Sequence, residues 1–147
     1  NLGKTISAIT THPVTISNEK TGKETARAEY DFYNNTTGNA IIQIHVSPTL
    51  NLYHEKEGLQ LGVSLNNEPV EFVSLNKNDG NVDTLEHWQA NSIITRELPI
   101  TIDKQGKQTL KIWHLSPGVV IQKIVIYWNE LKPSFLGPPE TKIHSKN

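Results

Sequence analysis

Apolar residues recur along this chain mostly at a spacing of two, the period of strands with one buried face, and helical spacing is scarce. The alternation is regular over residues 59–65, where Leu59, Leu61, Val63 and Leu65 alternate with Gln60, Gly62 and Ser64. The Asn66-Asn67 pair then permits a tight turn into residues 70–74, so this stretch predicts a β-hairpin. Upstream, two β-rich runs at residues 26–33 and 40–46 flank a cluster of turn formers from Asn34 to Asn39. That pattern predicts another antiparallel hairpin, with Tyr30 and Phe32 sharing one face and Ile42, Ile44 and Val46 sharing one face of the returning strand. Pro48 cannot donate to a ladder, so the returning strand stops near Ser47 and a loop through residues 51–58 follows.

Residues 76–84 are polar, contain Asn78-Asp79-Gly80 and lack apolar periodicity, which predicts an exposed loop. Residues 86–98 hold Trp88, Ile93, Ile94 and Leu98 and read as a strand or an irregular connection. Ile100 and Ile102 continue in alternation before residues 103–107 turn the chain. The strongest β signals are residues 109–115 and 119–128, joined across Ser116-Pro117-Gly118. The second is apolar on both faces, as expected of a central strand. Pro133, Gly137, Pro138 and Pro139 then resist both helix and central strand, and residues 141–147 read as a solvated tail. With no internal repeat or long linker, the chain reads as one all-β module over residues 1–147, an antiparallel β-sandwich with a jelly roll as the nearest competitor.

Composition narrows the partners more than the fold. At 147 residues the chain can bury a core without disulfides or metal. Fourteen basic against fifteen acidic side chains give a net charge of -1, so neither nucleic acid nor an anionic membrane is expected as partner. There is no cysteine, hence no disulfide, thiolate metal site or cysteine nucleophile. No apolar run approaches the roughly 18 to 20 residues of a membrane span. Methionine is absent too, so Asn1 is not a retained start and the chain is expected to be a processed protein or an excised fragment.

Candidate chemistry is thin, and no cofactor or metal is expected. No Gly-x-Ser-x-Gly elbow occurs. The histidines His12, His45, His54, His87, His114 and His144 are scattered without metal-ligand spacing, and His45 and His114, inside strands, suit structural hydrogen bonding. Asp31, Glu55, Glu57, Asp83 and Glu86 could pair as glycosidase carboxylates, but acidic side chains mostly solvate a surface. The oxygen-rich run Asn76, Asn78, Asp79, Asn81 and Asp83 suggests calcium, yet it lacks the helices and terminal glutamate of an EF-hand and reads as an ordinary polar loop. Sugar binding needs flat aromatic faces beside hydrogen-bonding groups. Trp88, Trp113, Trp128, Tyr53 and Tyr33 are the available platforms, with Arg27, Arg96 or lysines to pair with a uronate. Alternation puts Trp113 with Lys111 opposite Leu110 and Ile112, so that it meets either a sugar or another domain.

Three pieces in order carry a more specific signal: Thr109-Leu110-Lys111-Ile112-Trp113, then residues 117–126 from Pro117-Gly118 to Ile126, then residues 131–140 with Pro133 and Leu136-Gly137-Pro138-Pro139-Glu140. Together with Ala28-Glu29-Tyr30-Asp31-Phe32, Pro48-Thr49, residues 61–67 and the stretch around Trp88 and Asn91, this resembles the C-terminal domain of glycoside hydrolase family 115 from about Ala26 to Glu140. Residues 1–25 match less well, and Ser116 stands where the family usually carries an aspartate. Members of that family are α-glucuronidases acting on xylan side chains, and some act on arabinogalactan. The resemblance therefore implies a non-catalytic accessory module of a secreted or periplasmic enzyme whose catalytic residues lie in earlier domains. It implies packing against those domains through the rigid proline-rich segment, with possible support for a homodimer. The alternative is a carbohydrate-binding module for glucuronoxylan or another acidic polysaccharide.

Overall fold

A computed structural model of the chain describes residues 5, 7–12, 25–52, 54–77, 81–132, 134 and 137–141. Seven strands and one helix follow in the order β1 (Arg27–Asn34), β2 (Gly38–Val46), β3 (Gln60–Leu65), β4 (Glu71–Ser74), α1 (Val82–Asn91), β5 (Ile94–Ile102), β6 (Gly106–His114) and β7 (Ile121–Tyr127). They form two antiparallel sheets, one ordered β1-β6-β3-β4 and the other β5-β2-β7. The all-β sandwich predicted from periodicity is the fold.

Alternation decides which side chains meet between the sheets. Ile42, Ile44 and Val46 of β2 face Leu61 and Val63 of β3 and Leu110 and Ile112 of β6 in one buried cluster, with Tyr30 and Phe32 packed against it. Burying an aliphatic side chain of this size contributes about 1.5–3 kcal/mol, so these strands are held chiefly by what lies between them. A smaller cluster of Ala40, Leu65 and Ile102 extends the core toward Trp128.

The predicted β3–β4 hairpin forms, with Gln60 opposite Ser74 and Val63 opposite Glu71. The other predicted hairpin does not form. β1 pairs with β6, whereas β2 pairs with β5 and β7. Asn34 is the reason the turn formers make a corner between sheets: its buried side chain donates to Thr36 O at 2.7 Å and to Lys104 O at 3.3 Å. That ties the β1–β2 corner to the β5–β6 connection, which crosses between the sheets beside it.

Two further expectations are corrected. Residues 82–91 are helical. The helix was hidden because only Trp88 of its ten residues is buried, with Leu85 half-buried, a pair three apart that is too short to show a period. Its ends hold it: Asn81 accepts from Thr84 N at 3.0 Å as N-cap, and Ser92 closes the other end in the left-handed region. The doubly apolar β7 is an edge strand rather than a central one. At its start Ile9 exchanges two 2.9 Å backbone bonds with Ile121. Its outer side carries buried Val125, where the C-terminal segment returns: Gly137 lies against His45 and Lys123, and Lys123 Nζ donates to Pro138 O at 2.5 Å.

Candidate functional site

The aromatic platforms picked from the sequence are mostly taken up by the protein itself. Trp88, at 6% exposure, packs into the core from α1. The Arg96 guanidinium sits 5.4 Å from its ring centroid. Arg96 lies on the inner side of edge strand β5 and reaches the opposite sheet, donating from Nε to Ser74 O at 3.0 Å and from Nη2 to Leu75 O. Burial pulls its pKa below the usual guanidinium value. A clasp of this kind uses the fork that would otherwise grip a uronate. Trp113 does lie on the outer face, beside Arg27 at 6.0 Å, yet it is only 8% exposed. Trp128 closes one end of the sandwich against Ala40, Leu65 and Ile102, and its buried Nε1 has no hydrogen-bond partner among the described residues. Tyr53 lies outside the described residues. Among the described platforms Tyr33, at the far corner of β1, is the exposed one, and the structure does not bring these four aromatics together.

The other candidates also have structural work. Asn76 is fully buried: Oδ1 accepts from Leu59 N at 2.7 Å and Nδ2 donates to Thr49 O at 2.7 Å. A Cβ on Gly58 would fall 2.7 Å from that Oδ1, so the loop can close on Asn76 only with glycine there. With Asn76 so used and Asn81 capping α1, two members of the oxygen-rich run are committed to backbone. Asn78 and Asp79 lie outside the described residues. His114 sits between Val119 O, 2.8 Å from Nε2, and Thr11 Oγ1, 3.2 Å from Nδ1. A carbonyl only accepts, so Nε2 carries the proton. Asp31 pairs with Lys107 at 2.7 Å and Glu57 with Lys77 at 2.6 Å, and each cation holds its carboxyl below the ordinary range.

Sequence reasoning passed over the outer face of the three-stranded sheet, where strand register assembles a polar network. Gln43 lies opposite Glu97 on β5 and opposite Val125 on β7. Glu97 Oε1 accepts from Gln43 Nε2 at 2.8 Å and from the Tyr127 hydroxyl at 2.9 Å, and His45 Nε2 meets Gln43 Oε1 at 2.6 Å. Desolvation, then the Glu97 carboxylate, pushes the Tyr127 phenol upward. These groups floor a trough of about 670 Å³ between β5 and the returning segment, whose Leu131, Ser134 and Gly137 form the far wall. The available signal was the polar side of the alternation, Gln43 and His45 against Ile42 and Ile44, read only for its apolar half.

A family model described as the glycosyl hydrolase family 115 C-terminal domain matches residues 1–140. The chain belongs to that family. Among solved structures this family 115 C-terminal domain is similar to a family GH115 4-O-methyl-alpha-glucuronidase, BtGH115A, described as specific for decorated arabinogalactans. The TM-score is 0.62 at 18% identity, covering 74% of this chain and 14% of that one. It is also similar to a family 35 carbohydrate binding module from Clostridium thermocellum, with TM-score 0.49 at 14% identity, covering 69% of this chain and 70% of that one. No curated protein matches the sequence.

In this family 115 C-terminal domain the first two of the pieces that carried the resemblance, residues 109–113 and 117–126, build β6, the crossover and β7. Ser116 is buried and its Oγ accepts from Gln60 N at 2.9 Å. Beside the crossover runs the β2–β3 loop. Thr49 anchors its start by donating to Gly118 O at 3.1 Å. Asn51 closes its turn, donating to Glu55 O at 2.8 Å and accepting from Glu55 N at 3.0 Å. Held this way, the loop presents Leu50 and Leu52 to water, 54% and 73% exposed.

Proposed function

We propose that this chain is a non-catalytic accessory module of an extracellular or periplasmic family 115 glycoside hydrolase of α-glucuronidase type, seated against the parent's catalytic domains. The observation that carries this is the β2–β3 loop. A loop fixed by side-chain hydrogen bonds at its base and turn that still holds two leucines in water is built for a contact outside the module. Covering both would contribute about 1.5–3 kcal/mol for each, enough to couple the folding of two domains. Xylan or arabinogalactan side chains as the parent's substrate belong to the same proposal, with the chemistry assigned to the preceding domains. The described part of the proline-rich segment, which the sequence suggested for docking, lies against the module's own sheet at His45 and Lys123. The loop is therefore the proposed docking surface.

The test is the double variant Leu50→Asp, Leu52→Asp in the complete parent enzyme. The module should then melt apart from the catalytic domains in calorimetry, while the isolated chain keeps its own transition. A halving of the parent's mass in sedimentation would place the loop in a homodimer contact instead. One transition at unchanged temperature, with unchanged mass, would sink the proposal.

A further inference from the structure

We infer that the trough on the outer face of the three-stranded sheet binds a neutral saccharide, an inference that stands apart from the docking role. Two rows of side chains cross the strands there. One is apolar, Ile41 and Tyr127, placed side by side by the register of β2 and β7, with Pro99 of β5 continuing the row outside the trough. The next, two residues along, holds Glu97 and Gln43. Rows so spaced lie about 7 Å apart. A sugar ring has the matching division, an apolar C–H face and an edge of hydroxyls.

The polar row is ordered before any ligand arrives. His45, Gln43, Glu97 and Tyr127 are linked by bonds of 2.6 to 2.9 Å, so little side-chain freedom remains to be lost on binding. Glu97 Oε1 is taken by two donors, and its Oε2 accepts nothing among the described residues. A hydroxyl pair can donate to that oxygen and to the phenol oxygen of Tyr127, which has acceptor capacity left.

Charge selects for a neutral ring. The carboxylate of Glu97 stands in the floor, and no arginine lines the trough among the described residues. Arg96, its neighbour in sequence, points to the other side of the strand and is held by Ser74 O and Leu75 O. Lys123 is bonded to Pro138 O, and Lys132 on the wall is accompanied by Glu130. A uronate brought against Glu97 would meet repulsion with no fork to offset it.

The experiment is a titration of the full 147-residue chain, followed by amide NMR, with xylohexaose, cellohexaose, galactohexaose and sodium glucuronate. At least one neutral oligosaccharide should saturate with Kd near or below about 1 mM and shift outer-face residues of β2, β5 and β7, while glucuronate leaves them in place. Tyr127→Phe, which removes one hydroxyl, should weaken that binding at least about fivefold with an unchanged urea midpoint. Glu97→Ala should do the same. No saturation by any of the three neutral sugars at about 10 mM would overturn the inference. So would tighter binding of glucuronate, or a Tyr127→Phe variant that binds as well as the parent chain.

Discussion

Arg96 and Trp88 show how a single side chain can join two sheets that share no backbone ladder. The carbonyls of Ser74 and Leu75 end the short strand β4 and the turn after it, and the guanidinium from β5 meets both. Its flat face covers the indole of Trp88, which α1 drives into the core. Arg96→Ala should therefore cost about 2 kcal/mol in urea unfolding, the sum of two poorly satisfied carbonyls and a lost cation–π contact. Arg96→Lys should recover less than half, because one ammonium cannot span both carbonyls and stack as well. A loss below about 0.5 kcal/mol for the alanine variant would show that water replaces the clasp at little cost. Residue types were easy to pick from the sequence as candidates, and their roles were not. Trp88, Arg96 and Asn76 are legible as aromatic, cationic and oxygen-bearing side chains, but whether each faces a ligand or a backbone carbonyl depends on neighbours about twenty residues away. Ser74 to Arg96 and Leu59 to Asn76 are contacts of that kind.

At the scale of elements, the caps of α1 carry a testable consequence. Ser92 ends the helix with φ 54° and ψ 30° and an exposed side chain, while its backbone N–H bonds to Gln89 O and that of Ile93 to Trp88 O. An L-residue in that region is strained relative to glycine, the residue most helices place there. Ser92→Gly should raise stability by about 0.5–1 kcal/mol, keeping the Ser92 carbonyl that accepts from Gln122 Nε2 at 3.2 Å. Asn81→Ala at the other end should lower it by about 1 kcal/mol. Opposite signs in one urea series check both, and a destabilised Ser92→Gly would mean that the cap geometry is not left-handed in solution. Periodicity made the strands legible because each buries a stripe of alternate residues. It could not show which strands pair. Asn34 to Asn39 has the composition of a hairpin turn, yet the Asn34 side chain bonds across to Lys104 O and turns the segment into a corner. Val125 on the outer face of β7 is buried although β7 is an edge strand, and Gly137 and Pro138 return beside Lys123 on that face, so apolar residues on both faces do not by themselves mean a central position.

For the whole molecule, the exposed ion pairs and half-buried phenols set how stability responds to pH. Asp31 is held low first by Lys107 and then by Thr109, and Glu57 by Lys77. A carboxyl with a folded pKa below its unfolded value contributes stability that is present above about pH 4 and lost as pH falls through the folded value. Lys107 is raised by Asp31, so its contribution is complete below its unfolded pKa and is lost as pH climbs through the folded one. Tyr30 and Tyr127 are raised by desolvation. Their neutral forms suit the fold, and stability falls once pH exceeds the ordinary phenol value of about 10. A plateau between about pH 5 and 9.5 with an arm on each side follows. The acid arm belongs to surface pairs between β1 and β6 and between the β2–β3 loop and Lys77, so about 1 M salt should flatten it. The alkaline arm, resting partly on burial, should persist in salt. Urea midpoints measured at pH 2.5, 7 and 11 at both ionic strengths separate the two causes. Asp31→Asn, which keeps a side-chain oxygen for Thr109 Oγ1, should narrow the gap between pH 7 and 2.5. An unchanged gap would mean that the acid response comes from elsewhere in the chain and that the β1–β6 edge is held by its ladder and its buried face alone.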